Sequence, residues 1–117
     1  MDPATPVITR SAAMPPTATR RAGLTERRLL TPEQSHHQNV VLFDAQAGCL
    51  VEEHPVHNSE SLFVIEGQIE VSGPGFRDVL EPGDLCHFTP GMTHGMRVLS
   101  ASARYLAIFA PARSAQG

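Results

Sequence analysis

The chain has 117 residues, of which 41% are hydrophobic and 18% are charged, a composition that fits one domain with a modest core. Its net charge of -3 is too close to neutral to predict binding to nucleic acid, and no apolar run approaches the about 18 residues of a membrane span. Cys49 and Cys86 are its only cysteines, too few for a disulfide scaffold. We therefore expect a cytoplasmic protein with neither nucleic acid nor membrane among its partners.

The first part of the chain differs in composition from the rest. Residues 1 to 22 are rich in Pro, Ala, Thr and Ser without a sustained hydrophobic period, which predicts a disordered N-terminal arm. A single domain then spans residues 23 to 113, and residues 114 to 117 are expected to fray. Residues 1 to 40 carry five arginines, which we expect to be solvated rather than bound to an acidic partner.

Short apolar and β-branched runs alternate with turn residues from residue 24 onwards. Glu66 and Gly67 predict a tight hairpin, and the Pro-Gly pairs at 82–83 and 90–91 suit type II turns. Many short strands without a long helical period predict an all-β barrel or sandwich. The predicted strands are NVVLFD, CLVEE, SLFVIE, QIEVS, FRDVL, LCHFT, HGMRVL and ARYLAIF, with RRLL as a further candidate.

The stretch HPVHNSE, residues 54 to 60, places His54, His57 and Glu60 three positions apart. Imidazole and carboxylate groups are common metal ligands. Its proline, asparagine and serine disfavour a helix, and strand-like runs flank it on both sides. In a strand, His54 and Glu60 would share one face, whereas His57 would join them only if the segment bends.

Two of these strands each start with a ligand-capable residue and continue with an apolar row. Glu60 has the same parity as Leu62 and Val64, and His94 has the same parity as Met96 and Val98. A carboxylate on an apolar face is costly unless it is paired, hydrogen-bonded or bound to metal. The pattern predicts a polar cluster in an apolar cavity, the usual form of a small-molecule site.

These residues resemble the motifs of the cupin family, and in particular small single-domain bacterial cupins of the RmlC-like, cupin-2 type. The first motif, G(X)5HXH(X)3-4E(X)6G, and the second, G(X)5PXG(X)2H(X)3N, are matched in order over roughly residues 24 to 112. The resemblance implies a double-stranded β-helix, or jelly-roll β-barrel, and a homodimer. The matching residues are Gly48, His54, Glu60 and Gly67 in the first motif and Gly83, Gly91 and His94 in the second.

The sequence also departs from the motifs. Val56 stands where the second histidine of HXH belongs, and His57 lies one position later. In the second motif, Thr89 replaces the proline and Val98 the asparagine. The resemblance implies a divalent transition metal (Fe, Mn, Ni, Zn or Cu) bound by the two motif histidines and the glutamate, and it leaves open whether His57 supplies a fourth ligand.

Two classes of function follow from the resemblance. The first is a metal-dependent, dioxygenase-like enzyme that acts on a small molecule inside the barrel, because a metal with open coordination positions binds dioxygen or polarises a substrate oxygen. The second is a non-catalytic module that binds or senses a small molecule, which the missing histidine at position 56 favours. The substrate and the identity of the metal are not encoded in any motif of the sequence.

Overall fold

The computed structural model describes residues 5–111, and these residues form an almost entirely β structure. One short α-helix, α1 (Pro32–Ser35), and one 3-10 turn (Ser11–Ala13) accompany ten strands. The strands are β1 (Thr17–Ala18), β2 (Leu24–Leu30), β3 (Asn39–Gln46), β4 (Leu50–Pro55), β5 (Ser59–Glu66), β6 (Ile69–Gly73), β7 (Phe76–Leu80), β8 (Leu85–Phe88), β9 (Thr93–Val98) and β10 (Ser102–Ala110). Every strand predicted from the sequence is present, including the RRLL run, which lies in β2.

The strands form two antiparallel sheets. A six-stranded sheet has the order β1-β2-β3-β10-β5-β8, and a four-stranded sheet has the order β4-β9-β6-β7. Consecutive strands often lie in different sheets, so the chain passes repeatedly from one sheet to the other. The all-β prediction is confirmed.

The core lies between the two sheets and consists of the apolar side chains that alternate along each strand. Along β10, Ala103, Tyr105, Ala107 and Phe109 are buried while the residues between them are not. Successive side chains of a strand point to opposite faces, so one apolar row per strand reaches the core. Each fully buried large side chain contributes about 1.5–3 kcal/mol by leaving water. The largest such side chains are Phe88, Ile69, Val41, Val64 and Val71.

The predicted turns are confirmed in their geometry but not all in their connections. Gly83 and Gly91 have positive φ, at +94° and +84°, and each turn is closed by a backbone hydrogen bond of 3.0 Å. Gly67 also has positive φ, but the predicted hairpin is wrong, because β5 and β6 lie in different sheets. The glycine allows the chain to turn sharply, and here the turn carries the chain across the core.

The arm that was predicted to be disordered contains regular structure in its described part. Strand β1 pairs with β2, with Thr17 opposite Glu26, and the Arg27 side chain donates a hydrogen bond of 2.9 Å to the Met14 carbonyl. These bonds join the arm to β2, its neighbour at the edge of the six-stranded sheet, which composition alone does not reveal. The first four residues and the predicted frayed tail, 114 to 117, lie outside the described residues.

Two negative findings concern residues 5–111. No helix in this part of the chain is long and apolar enough to cross a membrane. Cys49 and Cys86 are both free thiols.

Candidate functional site

Three of the four predicted metal ligands line one cavity. His54 lies in β4 and His94 in the neighbouring β9, where the two residues are direct cross-strand partners. Glu60 lies in β5 of the opposite sheet. All three line a cavity of about 450 Å³ between the sheets. Glu60 and His94 thus meet as strand parity predicted, whereas His54 reaches the cavity from a different strand and sheet from Glu60.

Glu60 and His94 are in direct contact inside the barrel. His94 Nε2 lies 3.3 Å from Glu60 Oε1, and the two side chains are only 5% and 12% exposed. The His54 ring lies next to the His94 ring, with centroids 5.3 Å apart and planes tilted by 44°. The cavity thus holds an interacting carboxylate and imidazole with a second imidazole beside them.

Contacts to the protein fix the orientation of both imidazoles. His94 stacks on Phe88 with a centroid distance of 3.6 Å, and its Nδ1 lies 3.2 Å from the Met92 carbonyl oxygen. His54 Nδ1 lies 2.8 Å from the Glu52 carbonyl oxygen. If each Nδ1 carries the proton, it donates to its carbonyl and leaves the lone pair of Nε2 available to a ligand.

The structure does not bring His57 into this cavity. Between β4 and β5, Val56 is buried and His57 is exposed. The Val56 carbonyl accepts a hydrogen bond of 2.6 Å from the Gly91 backbone, which anchors the bend. The bend that could have turned His57 inward instead buries the valine that replaces the motif histidine.

His54, Glu60 and His94 are suitable metal ligands by residue type, but their side chains are not arranged around a common point. Two imidazoles and one carboxylate form a known ligand set for non-haem iron. Among residues 5–111, however, no group of three or more His, Cys, Asp or Glu side chains is arranged so that it could hold a metal ion. The site consists of one contact pair and a neighbouring imidazole, so the His54 side chain would have to approach the pair for all three to share an ion.

Tyr105 is a buried residue of the same cavity that the sequence analysis missed. It is 4% exposed, its ring stacks on Phe43 at 5.0 Å, and it lines the cavity with Glu60. Burial raises the pKa of the Tyr105 phenol above its usual value, and the Glu60 charge raises it further. The signal was present in ARYLAIF, where the tyrosine alternates with small inward-facing alanines.

Arginines of the supposedly solvated arm also reach the cavity. Arg20 and Arg21 lie between β1 and β2, and both line the cavity together with Arg28 of β2. Arg28 is paired with Glu26 at 3.4 Å. Composition could not indicate this placement, because it depends on the pairing of β1 with β2.

The fold and the cavity define a class: a small double-sheet β-barrel with histidines and a carboxylate in its interior. The sequence profile described as "Cupin domain" matches residues 39–109, more than half of the chain. The chain belongs to the cupin family, and its jelly-roll fold is that of the RmlC-like cupins. A comparison with curated proteins returned no match.

Several solved structures share this fold at low sequence identity. KdgF from Halomonas sp. has a TM-score of 0.84 at 18% identity, covering 92% of this chain and 96% of its own. An RmlC-like cupin from Shewanella frigidimarina has a TM-score of 0.81 at 21% identity, covering 97% of each chain. The polyketide cyclase RemF from Streptomyces resistomycificus has a TM-score of 0.81 at 17% identity, covering 93% of this chain and 82% of its own. Identities this low establish the fold alone.

Proposed function

We propose that this cupin binds one divalent transition metal ion through His54, Glu60 and His94 and acts on a small molecule in the barrel cavity. The observation that carries the proposal is the convergence of these three side chains, from three strands and both sheets, on one cavity. A carboxylate and two imidazoles in a cavity lined by both apolar and polar side chains are the kind of polar cluster that functional sites contain.

The hydrogen-bond arrangement gives the proposal further support. With both Nδ1 atoms donating to carbonyls, the two Nε2 atoms and the Glu60 carboxylate are all acceptors. The Nε2 of His94 and the carboxylate oxygen at 3.3 Å then need a cation between or beside them. A divalent metal would supply that charge.

The chain's own residues prepare the site for a ligand. Phe88 fixes the plane of His94, and the apolar side chains of Leu62 and Met96 line the same cavity as the carboxylate. A bound metal would supply Lewis-acid or redox chemistry in such a site. The dioxygenase-like activity expected from the sequence belongs to this chemistry, so we propose it as the first activity to assay.

A non-catalytic binding module is the second candidate. Val56 replaces the second motif histidine and is buried, which favours a weaker metal site. A module of this kind would be stabilised against heat by its ligand without releasing product, whereas turnover of that ligand would exclude it.

We also propose that the protein is a homodimer. The outer face of the six-stranded sheet exposes Phe63 and Ile65 of β5 and Leu85 of β8, and Phe63 and Leu85 are cross-strand partners. We call these three residues the outer apolar face. A contiguous exposed apolar surface of this kind is typical of an interaction site. The cytoplasmic location expected from the sequence stays a prediction.

Metal content per chain tests the main proposal. Elemental mass spectrometry of the purified wild type should find about one transition metal ion per chain, and the Glu60→Ala variant should lose it. His57→Ala is the matched control, because it removes an exposed imidazole from the same segment and should keep the metal. Metal retained by Glu60→Ala, or none in the wild type after reconstitution, would refute the metal site.

A further inference from the structure

The turn between β1 and β2 lies against the cavity that holds His54, Glu60 and His94. Residues 18 to 21 all line this cavity, and Arg20 and Arg21 bring two cationic side chains to it. The same two arginines line a second cavity, on the side of the β3–β4 turn, which also borders His54. This turn therefore lies between the barrel interior and the outer surface.

Hydrogen bonds hold this turn in a defined position. The Thr19 hydroxyl accepts a hydrogen bond of 3.1 Å from the Arg21 backbone N–H and donates one of 2.9 Å to the Leu24 carbonyl. The Gly23 carbonyl accepts a hydrogen bond of 2.8 Å from the Gln46 backbone N–H, which fixes the turn to the end of β3. The two arginines thus project from a fixed hairpin.

Arg20 and Arg21 differ from the arginines that lie within strands β2, β7, β9 and β10, each of which has a carboxylate partner. Asp44 pairs with Arg27 and Arg104, at 2.8 and 2.7 Å, and Glu70 pairs with two arginines of the other sheet. Among the residues that the structure describes, no ion pair involves Arg20 or Arg21. Their guanidinium groups are available to an anion from solution.

The charge of Arg21 acts on the barrel interior. Burial raises the pKa of the Cys49 thiol and of the Tyr105 phenol, and Arg21 is the group that lowers both. Both affected residues are buried, and Tyr105 lines the cavity itself. The half-buried Arg21 is therefore close enough to the interior to interact with a ligand in it.

We propose that Arg20 and Arg21 bind the carboxylate of a small organic acid, which makes organic acids the substrate class of this cupin. The inference rests on the proposed function, because it assigns the substrate to the same cavity. A guanidinium group presents paired N–H donors that match a carboxylate. The rest of such an acid would extend along the apolar walls toward His54, Glu60 and His94.

In the metal-free protein, the charge balance of the cavity favours a carboxylate over a phosphate. Its lining includes three arginines and two glutamates, Glu26 and Glu60, so the side chains leave one positive charge in excess when the histidines are neutral. A monoanion matches this excess. A phosphate dianion would bring a second negative charge near the two glutamates.

Calorimetric binding of matched probe pairs tests the inference. The probes are benzoate with benzamide, pyruvate with pyruvamide, and inorganic phosphate. We expect the wild type to bind at least one acid about tenfold more tightly than its amide and to prefer that acid to phosphate. The Arg20→Ala/Arg21→Ala double variant should lose this preference. Arg21→Lys, which keeps the charge but not the paired donors, should retain part of it.

The control variant is Arg97→Ala, which removes a surface arginine of β9 that is paired with Glu70 and should leave acid binding unchanged. Four results would each overturn the inference. These are equal binding of acids and amides by the wild type, binding of neither acid, a preference for phosphate, and an acid preference that persists in the double variant. Metal content, measured on the same samples, separates the two proposals. Metal-loaded protein without acid preference refutes only the arginine site. Arginine-dependent acid binding by protein that stays metal-free after reconstitution refutes only the metal site.

Discussion

The imidazole of His94 is held by contacts on its face and at both nitrogens. Phe88 stacks on the ring, the Met92 carbonyl lies at Nδ1 and Glu60 lies at Nε2. Groups that orient a ligand in this way raise its affinity for metal, and their loss typically costs about 10–100-fold. The position of His94 is therefore as important to the proposed site as its identity.

Phe88→Ala should reduce both stability and metal affinity. Phe88 is one of the largest fully buried side chains, so its truncation should lower the free energy of unfolding by about 3–5 kcal/mol. Denaturant unfolding measures this loss. Phe63→Ala is the control, because Phe63 is 38% exposed and its truncation should cost much less. Equal losses in the two variants would contradict the assignment of Phe88 to the core.

Tyr105 should make the folded state sensitive to high pH. Its phenol has a raised pKa in the folded state because of burial, whereas the unfolded chain has the usual value of 10.0. Its contribution to stability is therefore complete below pH 10.0 and is lost as the pH rises above that value, by up to about 1.4 kcal/mol per pH unit. Urea unfolding of metal-free protein between about pH 9 and about pH 11, one unit either side of this value, measures the loss. Tyr105→Phe should show a smaller decrease above pH 10.0, and parallel curves would refute the explanation.

Strand parity predicted part of the site, because the face on which a side chain lies depends only on its position within its own strand. Glu60 and His94 each share a face with an apolar row, and both line one cavity together with His54. The outward position of His57 depends on how the chain bends between β4 and β5. The approach of Arg21 to this cavity depends on the pairing of β1 with β2, which no residue of the arm encodes by itself.

At the scale of elements, the corner at Gly67 connects the two sheets. Its φ of +84° is a left-handed conformation, and an added Cβ would collide with the Ser102 carbonyl oxygen. The backbone at Gly67, between β5 and β6, is thus packed against the start of β10. The corner helps set the position of β5, which carries Glu60, relative to β10.

Gly67→Ala should destabilise the protein more than Gly75→Ala. Both glycines have positive φ, at +84° and +83°, so both substitutions incur the left-handed penalty of about 1–2 kcal/mol. Only Gly67 has atoms in the way of a Cβ, whereas a Cβ at Gly75 would meet nothing within 4 Å. Thermal and denaturant unfolding of the two variants measures the difference. Similar losses would show that the close approach of Gly67 to the Ser102 backbone does not affect the free energy of unfolding.

The sequence predicted the strands better than their connections. Alternation of apolar residues identified strands as different as β5 and β10, because each buries one face. The Glu66-Gly67 turn was predicted as a hairpin because a glycine with positive φ is needed in both cases. Which sheet the next strand joins is decided by long-range pairing, here of β6 with β9.

At the scale of the whole molecule, the two sheets enclose the cavity and leave the outer apolar face uncovered. In isolation this face would keep three large apolar side chains in contact with water. Pairing with a second copy would bury them, which is the driving force that we propose for a homodimer.

Phe63→Glu should convert the dimer to a monomer. The substitution places a charge at the centre of the outer apolar face, between Ile65 and Leu85. Size-exclusion chromatography with light scattering measures the mass at micromolar concentration. Val79→Glu, at an exposed position of the other sheet, should remain dimeric. A monomeric wild type would contradict the proposed dimer.

The most direct test of the metal centre is anomalous diffraction from crystals of the metal-reconstituted protein at the absorption edge of the bound metal. We predict one anomalous peak per chain, within about 2.0–2.2 Å of Nε2 of His54, Nε2 of His94 and a carboxylate oxygen of Glu60. A peak at His57 or elsewhere on the surface, or no peak between these three side chains, would contradict the proposed metal centre.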